Sequence, residues 1–118
     1  MRKLTIVLAL LIFSSPAWGE QKTIKGLLEI YDKAPLKFKY EINKMLNLAS
    51  VGMAWSNAEL EGEGRQPLYC PPEKLVITGE QAFQIFRTEV ERRKRTNDPF
   101  SNAGIYLLKG LIRTFPCK

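Results

Sequence analysis

Between residues 24 and 115 the apolar positions recur at intervals of three and four, the spacing of an α-helical face. Ile24, Leu27, Leu28 and Tyr31 define a short first helix, closed at Pro35 because the residue before a proline is pushed out of helical geometry. A second and longest helix is expected from about Leu36 to Glu61. Its main stripe reads Ile42, Met45, Ala49, Gly52, Ser56 and Leu60, with Leu48, Val51 and Trp55 forming another stripe beside it. Apolar residues on more than half of a helix circumference predict burial against several neighbours. Ala49, Gly52 and Ser56 would let another helix approach closely, which would compensate the roughly 1 kcal/mol that Gly costs inside a helix. Asn57 is polar beside that face and is expected to hydrogen-bond a loop.

Glu61-Gly62-Glu63-Gly64 stops the second helix with two glycines. Residues 65–77 hold three prolines and read as an extended connector; Leu75-Val76-Ile77 has no partner strand and stays a loop. Thr78-Gly79-Glu80-Gln81 has the form of a capping box opening a third helix, whose buried stripe is Ala82, Phe83, Phe86 and Val90, with Ile85 alongside. Its outer face pairs Glu89 with Arg93 and Glu91 with Arg95 at i,i+4. Arg92-Arg93-Lys94-Arg95 ends the helix, where cations suit the dipole. Asp98-Pro99 starts a fourth helix as N-cap and first-turn proline. That helix is expected to bury Phe100, Ala103, Gly104, Leu107, Leu108 and Leu111, extended by Ile112 and Phe115, with Pro116 as terminator.

The N-terminus follows a different pattern. Met1-Arg2-Lys3 is basic, Leu4 to Phe13 is ten residues of apolar chain, and Ser14 to Gly19 places small Ala17 and Gly19 at −3 and −1 of a cut before Glu20. This is the form of a secretory signal peptide over residues 1–19; a membrane span needs about 20 apolar residues. Residues 20–118 then make one small exported domain, periplasmic or secreted, with no stable membrane anchor. Removing Arg2 and Lys3 from 18 basic and 12 acidic residues leaves it a net charge of +4. That is below the charge density of a dedicated nucleic-acid binder, and no nucleic-acid partner is expected.

Cys70 and Cys117 both lie in the exported part. In an oxidising compartment two thiols in so small a domain most simply pair. The bond would close a loop of about 48 residues, worth roughly 4 kcal/mol on the loop-entropy model. A metal pair or a catalytic thiol are the alternatives, and the chain has no His to complete or activate either. The expected fold is therefore all-α, a bundle of about four helices stapled by one disulfide.

The order of these features resembles a known family. Gly52-Met53-Ala54-Trp55-Ser56-Asn57-Ala58-Glu59-Leu60 leads into Leu68-Tyr69-Cys70-Pro71-Pro72, a Thr-capped helix at Thr78-Gly79-Glu80-Gln81 follows, and the chain closes on Leu111-Ile112-Arg113-Thr114-Phe115-Pro116-Cys117. The pattern, covering about residues 40–117, is similar to the Rap/Tai immunity proteins, small periplasmic helical proteins of Gram-negative bacteria. What the resemblance implies is an inhibitor that occludes a peptidoglycan amidase delivered by type VI secretion, often as a homodimer, with no catalytic residues, cofactor or metal. It also implies the Cys70–Cys117 bond. The partner-binding segment does not map by motif.

No nucleophile elbow or metal-ligand spacing is present, and the closest approach to an enzyme set is Glu59, Glu61 and Glu63, with Glu73 further on. An acid-stress periplasmic chaperone is the competing function, since that class is also small, helical and held by one disulfide. For a partner-binding role the loops are the candidates: Glu61, Glu63 and Arg65 in the Glu61–Gln66 loop, and Arg92, Arg93, Lys94, Arg95 and Asn97 in the Arg92–Asn97 turn. A rigid scaffold presents such loops at little ordering cost.

Overall fold

The computed structural model describes residues 22–118. The expected signal peptide lies outside the described residues. Four α-helices follow in order: α1 Ile24–Lys33, α2 Leu36–Gly62, α3 Gly79–Arg92 and α4 Ala103–Thr114, the last preceded by a 3₁₀ turn, Phe100–Asn102. The domain is all-α, as the periodicity predicts.

Each boundary has a local cause. Thr23 caps α1 by accepting a hydrogen bond from the Gly26 amide at 3.1 Å, and the extended Ala34-Pro35 pair separates α1 from α2. α2 and α3 end alike. Arg65 N donates to Leu60 O and Gly64 N to Glu61 O, while Arg95 N donates to Val90 O and Lys94 N to Glu91 O. Both are Schellman closures, which need one left-handed residue. Gly64 supplies it freely at φ 72°, whereas Lys94 adopts φ 55° against the Cβ penalty. The capping box at Thr78 and Gln81 is formed in both directions, at 3.1 and 2.9 Å.

The core is drawn from all four helices and the connector. Ile24, Leu28 and Tyr31 of α1, Ile42 and Leu46 of α2, Ala82, Phe83, Phe86 and Val90 of α3, and Ala103, Tyr106, Leu107 and Leu111 of α4 are buried with Tyr69. The Tyr31 ring stacks on Phe83 with centroids 3.7 Å apart, and its hydroxyl donates to Asn43 Oδ1 at 3.1 Å. α3 packs on α2 and on α4 through two close approaches at glycine. A Cβ on Gly79 would lie 2.7 Å from the Asn43 carbonyl oxygen, and one on Gly110 would lie 2.7 Å from Ile85 Cγ2. Cys70 and Cys117 are joined, and the Cys70 amide donates to Phe115 O, so the connector is fastened to the end of α4.

Several expectations about faces are corrected. α2 does not bury both stripes. Its inward line is Ile42, Leu46, Ser50 and Asn57, while Met45, Leu48, Val51 and Trp55 are exposed, Ser56 is exposed, and a Cβ at Gly52 would meet nothing within 4 Å. The reason is polar: Asn57 turns inward to clamp the connector, donating to Tyr69 O and accepting from the Leu68 amide, and this holds its face of α2 inward. Ile112 is likewise exposed, and Gly110 and Tyr106 are buried in its place. Asp98-Pro99 does not open α4 as N-cap and first-turn proline. Backbone bonds from Ile24 N to Asp98 O and from Phe100 N to Lys22 O, with a bridge between Thr23 and Pro99, hold that segment extended. The chain therefore enters α4 through the 3₁₀ turn, and the Asp98 carboxylate accepts from the Tyr106 hydroxyl instead.

Candidate protein-binding site

The Glu61–Gln66 loop is a solvated helix end. Glu61, Glu63, Arg65 and Gln66 are exposed, and Glu63 pairs with Arg65 at 3.5 Å across open water, a contact of little energetic weight. What the sequence places correctly here is Asn57. Its Nδ2 donates to Tyr69 O and its Oδ1 accepts from the Leu68 amide, both at 2.8 Å, so one buried amide fixes where the connector leaves α2. Glu59, the remaining carboxylate of that group, is also exposed.

The Arg92–Asn97 turn is more organised. Three backbone bonds pin its far side to the start of α1: Lys25 N to Thr96 O, Ile24 N to Asp98 O, and Phe100 N to Lys22 O. Arg92 and Arg93 fold back onto Glu89, which is only 1 % exposed and so does not lie on the outer face. Arg113 of α4, which the sequence does not single out, reaches the same carboxylate, with Nε 3.0 Å from Oε2. The hydrogen bonds from Arg92 and then Arg93, with Arg113 beside them, hold the Glu89 carboxyl at a pKa of about 2, against the resistance of burial. Lys94, Arg95 and Asn97 remain exposed beyond this cluster. The expected Glu91–Arg95 pair is not made. The left-handed Lys94 turns Arg95 off the helix, and Glu91 accepts from Arg87 Nε at 3.0 Å. Arg87 also grips Asp32 of α1 through both terminal nitrogens, at 2.7 and 2.8 Å, which holds the Asp32 carboxyl below its usual range.

The surface that loop reasoning missed is α2 itself. Trp55 is 73 % exposed and Leu48 65 %, and seven residues of helix bring them onto one line, opposite Leu46 and Asn57. Met45 and Val51 flank that line, and Phe38 and Ile30 continue it towards α1. There the two helices leave an apolar depression of about 810 Å³, lined by Leu27, Ile30, Phe38, Ile42, Met45 and Phe100 among others. The signal was present in the sequence as the stripe Leu48, Val51, Trp55; its direction was not.

Chemically, these surfaces offer a rigid apolar helix face and a cluster of fixed cations. Among the described residues no group of three His, Cys, Asp or Glu side chains is placed to hold a metal ion, and no helix is long and apolar enough to cross a membrane. The disulfide fits an oxidising compartment. Comparison of the chain with protein-family models, with curated proteins and with solved structures finds no match.

Proposed function

We propose that this chain is an exported binding protein without enzymatic activity that caps and blocks a peptidoglycan amidase delivered by type VI secretion, as its resemblance to the Rap/Tai immunity proteins implies. The observation that supports a protein partner is the α2 face that the described residues leave exposed. A lone exposed Leu is ordinary on a protein surface, but Met45, Leu48, Val51 and Trp55 form a contiguous apolar strip on a rigid helix, and such strips mark interaction surfaces. Tryptophan in particular is enriched among the residues that carry binding energy. The disulfide, the Asn57 clamp and the Glu89 cluster hold the scaffold still, so little ordering cost is added on association.

The test is affinity capture of the tagged protein, exported in its own host, at neutral and at acidic pH. The expected result is a single peptidoglycan hydrolase at near-equal stoichiometry at neutral pH, inhibited by the purified protein and released by Trp55→Asp. Sedimentation of the protein alone separates that occupant from a second copy of the chain on the same face. Recovery of many unrelated envelope proteins at acidic pH only would replace this reading with the acid-stress chaperone.

A further inference from the structure

The cluster around Glu89 contains more positive charge than its anchor can neutralise. One carboxylate faces three guanidinium groups, and both of its oxygens are fully engaged: Oε1 accepts from Arg93 Nε at 2.5 Å and Arg92 Nη2 at 2.9 Å, and Oε2 from Arg113 Nε at 3.0 Å and, more loosely, Arg92 Nε at 3.4 Å. Arg93 and Arg113 each use only Nε in this way. The Nη1–Nη2 edge of each has no partner among the described residues, and that edge is the planar fork that matches two oxygens of a carboxylate or phosphate.

Those two arginines border a surface depression of about 420 Å³ whose other lining residues are Lys109 and Ile112 of α4. Among the described residues no carboxylate lines it. The Lys109 ammonium lies 5.9 Å from the centre of the Tyr106 ring and makes no ion pair among the described residues. Three cationic side chains therefore border one shallow depression, two of them tethered by a buried carboxylate already spent on them. Among the described residues Arg65, Lys94 and Arg95, by contrast, pair with no buried carboxylate.

We propose that Arg93, Lys109 and Arg113 form a binding site for a carboxylate or phosphate oxyanion, with Glu89 as the positioning residue that orients both arginines. Ile112, exposed in the floor, gives an apolar contact for whatever carries the anion. The site lies on α3 and α4 rather than on the α2 face, and it stands whether or not the partner is an amidase.

The experiment is a titration of the ¹⁵N-labelled protein at fixed ionic strength with inorganic pyrophosphate, with N-acetyl-triglutamate, and with sodium chloride as control. The expected result is a saturable shift of the Arg93 and Arg113 Nε–H signals with at least one oxyanion and none with chloride. Lys109→Gln and Arg113→Gln should each weaken that binding about tenfold or more. Lys109 does not touch Glu89, so its variant tests the site without disturbing the anchor, and unchanged melting confirms the fold. Arg113→Lys should restore little, because a point charge lacks the fork. Tighter binding of pyrophosphate points to a phosphate-bearing ligand, and tighter binding of the triglutamate to an acidic peptide segment. Absence of saturation, or equal shifts at Lys37 and Lys44 on α2, would overturn the proposal.

Discussion

Replacing Glu89 by Gln keeps the volume of a side chain that is 1 % exposed and removes the one charge that holds Arg92, Arg93 and Arg113 together. The pKa of about 2, against 4.5 for a free carboxyl, corresponds to at most about 3–4 kcal/mol of stabilisation of the folded state. The three guanidinium groups are one-third to one-half exposed, so solvent screening brings the expected loss down to about 1–2 kcal/mol. For a domain of this size that is about 4–16 °C in Tm at neutral pH. The sign with pH follows from the lowered pKa. The contribution is complete above about pH 4.5 and disappears as pH falls towards 2, because Glu89 is then protonated in the folded state as well. Denaturant unfolding of the two proteins at pH 7, 4 and 2.5 measures it. The wild-type advantage should shrink steadily down that series. An advantage that is equal at pH 2.5 and 7, or below about 0.5 kcal/mol at pH 7, would mean that the arginines merely lie beside Glu89.

Other substitutions test the packing. Gly110→Ala places a methyl 2.7 Å from Ile85 Cγ2 and 2.9 Å from its carbonyl oxygen and should destabilise by about 1–3 kcal/mol, whereas Gly52→Ala meets open space and should gain about 0.5–1 kcal/mol; thermal melting of both decides. Asn57→Ala leaves the Tyr69 carbonyl and Leu68 amide without their partner and should cost about 1–3 kcal/mol, with faster amide exchange at Leu68 as a local signature. Reduction of Cys70–Cys117, which spans 47 positions, should cost up to about 4 kcal/mol, and thiol titration of the native oxidised protein should find none free.

Helix ends other than the start of α4 were legible because their signals are local: Pro35, the two glycines after Glu61, the Thr78 box and Pro116 each act within one turn of chain. Faces were legible where one apolar stripe stands against a polar remainder, as in α1 and α3. α2 carries apolar residues on more than half of its circumference, so hydropathy could not choose, and the inward face is the one that carries Asn57, whose amide holds the connector, while Ser50 faces inward bonded to its own helix. Glu89 illustrates the same limit. Its pairing with Arg93 follows from i,i+4 spacing on one helix, but its partner Arg113 lies 24 positions away on another. The oxyanion depression needs Lys109 as well, and nothing in a linear reading joins residues 93, 109 and 113.

The bond between Cys70 and Cys117 divides the described chain into a covalent ring and a tail. The ring runs from 70 to 117 and contains α3 and α4; the tail contains α1 and α2, with the apolar strip. A protease that cuts one peptide bond between Pro71 and Pro116 leaves a single molecule whose pieces stay linked, and reclosure remains intramolecular. A cut in α2 sets free the fragment that carries α1. Damage tolerance is therefore unequal along this protein: the half bearing the cations survives a nick that the half bearing Trp55 does not.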